Sequence, residues 1–142
     1  MLDLKTRGTM AASRFLASRG YDVLEENWKG CSGGCEVIAL DGDVLVFAKV
    51  KTRSDAAKGF PTERSGAAER ARRETVAIEY LTEHPEHVDM GVRFDTVSLL
   101  VTNSNQALIR HHINCMGSAL MQPDITLSLI HISEPTRLRR IS

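Results

Sequence analysis

No stretch of this sequence approaches the about 18 consecutive apolar residues that a membrane-spanning helix needs. The opening MLDLKTRGT also lacks the apolar core of a secretion signal. Both absences point away from a helical membrane protein, and the expected location is the cytoplasm. Cysteine is scarce and odd in number, at three, which fits reduced thiols better than a disulfide framework. No P-loop, GxSxG or dinucleotide-binding glycine pattern occurs, nor any internal repeat or low-complexity tract. Charge of one sign is lacking too: 18 Lys and Arg balance 18 Asp and Glu. What is present is ordinary for a soluble globular domain, with 42% hydrophobic and 25% charged residues in 142.

The C-terminal stretch stands apart. Residues 127–137, LSLIHISEPTR, resemble the in-frame translation of an adapter used in preparing sequencing libraries. Residues 127–142 carry Arg137, Arg139 and Arg140 against Glu134, so without them the formal charge falls from 0 to −2. The RLRR near the end is therefore no argument for nucleic-acid binding. The expected organisation is one domain over 1–118 and a tail over 119–142, disordered or loosely helical, with few contacts to the domain.

Hydrophobic spacing predicts a helix over 3–19 closed by Gly20, then strands over 21–28 and 35–40 around the glycine-rich turn KGCSGGC. Asp41-Gly42 is a hairpin signal leading into a strand over 44–53. A loop over 54–66, a helix over 67–82 and strands over 92–101 and 107–115 follow. The order α-β-β-β-α-β-β predicts an α/β fold, a mixed sheet flanked by helices. Strand order and register stay open.

The strand VLVFAKVKTR has one awkward face. Val44, Val46, Ala48 and Val50 alternate to one side, and Leu45, Phe47, Lys49, Lys51 and Arg53 to the other. Lys49 and Lys51 are then same-face neighbours roughly 6.6 Å apart. Their repulsion is about 2.5 kcal/mol at an effective dielectric near 20. A phosphate-binding ladder and a solvated, edge-protecting strand end are both compatible with this pattern. In ERARRE, Arg70, Arg72 and Arg73 suggest a nucleic-acid groove, while the interleaved Glu69 and Glu74 favour a solvated helix face.

The blocks Gly8 to Tyr21, Asn27-Trp28, Ile38 to Arg53 (IALDGDVLVFAKVKTR), Tyr80-Leu81 and Val92 to Asp95 together resemble the YraN-like family over about residues 4–114. The resemblance implies a restriction-endonuclease-like fold, similar to Holliday-junction resolvases and other PD-(D/E)xK nucleases. It implies DNA or another nucleic acid, possibly branched, as partner, and Mg²⁺ as cofactor if the chain is an active nuclease. In that pattern carboxylates hold the hard cation, and a lysine assists at the scissile phosphate. By this resemblance Glu36 and Lys51 are the catalytic remnant, Glu36 is the metal ligand, and Lys49, Lys51, Arg53, Arg70 and Arg73 are candidates for binding nucleic acid.

Three positions depart from the family pattern. Thr9 stands where the first helix should bring a glutamate, Gly34 where the GEID block carries its glutamate, and Lys49 at the acid of E-x-K. An ammonium about 4 Å from Mg²⁺ repels it by roughly 8 kcal/mol at a dielectric of 20. Millimolar binding is worth only about 4 kcal/mol. The expectation is a nucleic-acid-binding protein with impaired catalysis. The alternatives are an active nuclease with relocated carboxylates, drawn from Glu25, Glu26 or Asp95, and a non-catalytic interaction module. Cys31 and Cys35 with His111, His112 or Cys115 suggest a zinc site against the simpler reading of reduced thiols. His111 and His112 must face opposite sides of their strand, and Trp28 either stacks a base or packs on the fold.

Overall fold

The first helix begins where the sequence supplies a cap. In the computed structural model, which describes residues 3–54, 58–61, 66–103, 105–116 and 124–131, the Asp3 carboxylate accepts the Thr6 N–H at 2.8 Å. Helix α1 (Leu4–Ser18) follows. Gly20 closes it with φ 96°, a left-handed conformation that costs glycine little. Strands β1 (Asp22–Lys29), β2 (Gly34–Asp41) and β3 (Val44–Arg53) come next. The Asp41-Gly42 signal is borne out: Asp41 pairs with Val44, and Gly42 takes φ 63° in the turn between them. Helix α2 (Ala67–Glu83) and a short 3₁₀ turn (Pro85–His87) lead to β4 (Gly91–Val101), β5 (Gln106–Ile113) and β6 (Asp124–His131).

The fold is α/β, as the element order predicts. Among the described residues, six strands form one mixed sheet in the order β1-β2-β3-β4-β5-β6. Only β3 and β4 run parallel, because α2 carries the chain back across the sheet between them. The side-chain alternation in β3 sorts the two layers. Val46, Ala48 and Val50 pack with Ala11, Ala12 and Leu16 of α1. Leu45 and Phe47 pack with Ala77 and Tyr80 of α2 on the opposite face. Small residues let α1 lie close to the sheet. A Cβ added at Gly8 would run into Thr52 Oγ1, so the start of α1 is pressed onto the end of β3. Thr9, the next residue, is 1% exposed.

The expected loose tail is corrected in part. Asp124–His131 pairs antiparallel with β5, from Gln106↔His131 to Ile113↔Asp124. An uncovered β5 edge offers a row of backbone donors and acceptors, and pairing with it asks only for an extended partner, which LSLIHI readily provides. Ile130 joins the α1-side core while Leu129 stays 58% exposed. The rest of that tail, 119–123 and 132–142, lies outside the described residues. Deleting residues 124–142 is expected to lower stability by about 1–2 kcal/mol, the scale of one partly buried isoleucine. Urea unfolding checks this, and an unchanged midpoint would mean that the strand adds no net packing.

Candidate nucleic-acid interface

The β2–β3 ladder runs from Asp41↔Val44 to Val37↔Ala48 and there it stops. Beyond it the Glu36 side chain takes over, its Oε1 accepting the Val50 N–H at 3.1 Å. Glu36 Oε2 lies 3.8 Å from Lys49 Nζ. The carboxylate is 13% exposed and the lysine 38%, so the pair bridges the strand fork and the surface. Lys51, two residues on and on the same face, reaches Glu69 Oε2 of α2 at 4.0 Å. Glu36, Lys49 and Lys51 are thus gathered at one strand fork, as the sequence suggested.

The other expected cations divide. Arg53 donates through Nη1 to the carbonyls of Lys58, Gly59 and Phe60 at 3.1, 3.3 and 3.4 Å, and so ties the following loop to its strand. Arg73 donates through Nη2 to the Asp95 carbonyl at 2.7 Å and lies over the Phe94 ring. Its guanidinium binds α2 to the sheet. Arg70 is exposed on α2, where no lining of the groove includes it. Arg72, one of the alternating charges of α2, lines the groove together with Lys51.

Two connected depressions flank the Ser32–Gly34 turn, of about 550 and 320 Å³, and both reach Lys49. Lys5 of α1 and Lys29 of β1 border the larger one. Together the two linings hold six cations, Lys5, Lys29, Lys49, Lys51, Arg72 and Arg73, against the carboxylates Glu36 and Glu69. The local surplus is four positive charges on a chain with formal net charge 0. Sequence reasoning missed Lys5 and Lys29, because only the fold brings the start of α1 and the end of β1 to this fork. Glu79 of α2 steadies the turn between them, accepting the Ser32 N–H at 3.1 Å and the Ser32 hydroxyl at 2.9 Å.

A divalent cation does not fit this donor set. Glu36 is already bound to the Val50 N–H and lies beside an ammonium. The neighbouring Cys35 thiol is pushed up to about 12 by burial first and by the Glu36 charge second, so it stays protonated. Its Sγ–H points at the carbonyls of Val37 and Ala48, 3.3 and 3.5 Å away. The carboxylates proposed as relocated ligands are elsewhere. Glu25 faces Tyr80 and His84 under α2, and Glu26 accepts the Ser13 hydroxyl of α1 at 2.6 Å. Among the described residues no three His, Cys, Asp or Glu side chains converge on a common point, Cys31 and Cys35 included. Trp28 packs edge-on against Tyr80, with ring centroids 5.3 Å apart.

Asp95 belongs to a different assembly, which the sequence reading did not foresee. It is fully buried on the α1 side, with Arg93 Nε and Nη2 donating to its oxygens at 2.9 and 3.0 Å. His111 Nε2 lies 2.8 Å from Oδ2, and the Asn114 N–H donates to Oδ1 at 2.9 Å. Arg93 continues to Asp41 at 2.8 Å and to the Tyr21 hydroxyl at 2.6 Å. Among the described residues His111 Nδ1 has no hydrogen-bond partner. A carboxylate oxygen only accepts, so His111 Nε2 carries the proton that it directs to Asp95. A legible signal existed: Arg93 and Asp95, two apart on a strand, must share a face.

The family model described as "Uncharacterised protein family UPF0102" matches residues 9–99, more than half of the chain. A UPF0102 protein of Beutenbergia cavernae is 38% identical over 104 residues, covering 73% of this chain and 87% of that protein. One from Rhodococcus opacus is 34% identical over 110 residues, covering 78% and 92%. One from Arthrobacter sp. strain FB24 is 35% identical over 108 residues, covering 76% and 91%.

Proposed function

The chain belongs to the uncharacterised protein family UPF0102, the YraN-like family of the sequence resemblance, and we propose that it binds nucleic acid at the β2–β3 fork with impaired catalysis. The observation that carries this reading is the Lys49–Glu36 pair at 3.8 Å, set in a groove with a surplus of four positive charges. A cationic trough lowers the energy of a phosphate backbone whatever its base sequence. The restriction-endonuclease-like character of the domain belongs to the same proposal. So do DNA as partner and the descent of Glu36 and Lys51 from a nuclease centre. Of the cations expected from the sequence, Lys49 and Lys51 remain the leading contacts, now with Lys5, Lys29 and Arg72. Arg53 and Arg73 act chiefly by holding the loop and α2 in place.

Binding to labelled duplex DNA should therefore weaken steeply with salt. Three to five phosphate contacts give a log–log slope of about −3 to −5, at about −0.9 per contact. Lys51→Ala is expected to lower affinity about equally for unrelated sequences and to reduce the slope by about one, since phosphate contacts carry no base information. Absence of binding even at low salt would favour the interaction-module alternative and defeat the proposal.

A further inference from the structure

The family fold implies a divalent cation at the fork, and the residues present do not hold one. We propose that the Lys49 ammonium is the resident cation there, and that the groove seats a nucleic-acid phosphate without any metal. This rests on the nucleic-acid reading above and adds how the phosphate is held.

Both oxygens of Glu36 face away from the role of metal ligand. Oε1 closes the broken ladder through the Val50 N–H, and Oε2 faces Lys49 Nζ. The lysine stem crosses from the buried fork, and its side chain is more than a third exposed, so the ammonium borders the groove. An ammonium has three N–H donors, and one carboxylate oxygen at 3.8 Å leaves donor capacity for an incoming oxyanion. Phosphate oxygens only accept, so they match a seat bordered by Lys49 and Lys51. Glu36 then serves as the positioning residue that aims the lysine. In a metal-centred site the order is reversed: two carboxylates attract the cation, and the cation attracts the phosphate. Here one carboxylate orients a cation built into the chain, so loading an ion is no longer a step in binding.

The test is fluorescence anisotropy of a labelled four-way junction with the full chain at constant ionic strength, in EDTA and in Ca²⁺. The wild-type chain is expected to bind as tightly in EDTA as in Ca²⁺, or more tightly, because added divalent ions compete for phosphate. Lys49→Glu should lose tenfold or more in EDTA, about 1.4 kcal/mol, and recover part of it in Ca²⁺, since two carboxylates then recruit the ion. Lys49→Met should lose affinity in EDTA with no recovery, a contrast that a general folding defect would not produce. Wild-type binding that requires Ca²⁺ would overturn this inference and leave the nucleic-acid reading standing. Lys49→Met binding like wild type would also overturn it. No wild-type binding in either buffer would defeat the nucleic-acid reading itself.

Discussion

Asp95→Ala is expected to destabilise the fold by about 3–5 kcal/mol, the range for removing one partner from a buried ion pair. The wild-type carboxylate is wholly enclosed, and its two oxygens receive Arg93 twice, His111 once and the Asn114 N–H once. Among the described residues, truncation leaves the Arg93 guanidinium with Asp41 alone as its anionic partner, and leaves the buried His111 ring without its Asp95 acceptor. Burial by itself would raise the Asp95 pKa. Hydrogen bonds from His111, then Arg93, then the Asn114 backbone outweigh it and hold the carboxyl below its ordinary range. A depressed folded pKa contributes stability that is present above the unfolded value, about 3.9, and lost as pH falls through the folded value. The acid-unfolding limb should therefore steepen below about pH 4 and flatten in Asp95→Asn. Urea midpoints across that pH range measure both effects. A loss near 1 kcal/mol for Asp95→Ala, in line with a typical point substitution, would show that the assembly is compensated by rearrangement or water.

Local patterns made the architecture legible and left the assembly hidden. The cap at Asp3, the turn at Gly42 and the alternation in β3 each depend on residues within a few positions, so they can be read along the chain. That alternation assigned Leu45, Phe47, Lys49 and Lys51 to one face, which is the α2 face. Strand order was not readable, because a ladder such as β3–β4 joins residues more than forty positions apart. The site divides in the same way. Lys49 and Lys51 were singled out by strand alternation and the E-x-K spacing, and Glu36 by the GEID block of the family resemblance, all of them short local patterns. The second task of Arg53 and Arg73, holding the loop and α2 in place, was not legible, because their carbonyl acceptors lie on the following loop and on β4. The charge count that makes the groove cationic exists only once α1 packs on the sheet and β1 pairs with β2, the neighbour of β3. The tail was misread for the opposite reason. Its origin was weighed, whereas β-pairing depends only on an extended segment meeting an open edge.

The unmodified chain is expected to show no Mg²⁺-dependent cleavage of duplex or four-way-junction DNA, and rebuilding the centre should be graded in a way the geometry dictates. Lys49→Glu alone gives Glu36 a carboxylate partner and leaves Lys51 in place, so weak metal binding is the expected gain. Adding Thr9→Glu tests whether α1, pressed onto the end of β3 at Gly8, can bring a third carboxylate round to the fork, and Thr9 is 1% exposed. A buried carboxylate is costly unless it is paired. The double variant should therefore be less stable than wild type without metal and regain stability as Mg²⁺ or Mn²⁺ is added. Gly34→Glu should fail for a backbone reason, although not the positive φ that a glycine-rich turn suggests. Gly34 is outside the left-handed region, whereas its added Cβ would lie 2.5 Å from the Trp28 carbonyl oxygen in the paired strand. Because a backbone atom is in the way, neither a rotamer change nor a metal relieves the contact, so β1 must shift and the turn that lines the groove moves with it. Thermal midpoints with and without Mg²⁺, beside a junction-cleavage assay, separate these outcomes. Metal-dependent cutting by the unmodified chain, abolished by Glu36→Ala, would overturn the impaired-enzyme reading, because the Lys49–Glu36 pair would then have to open and admit the ion during turnover.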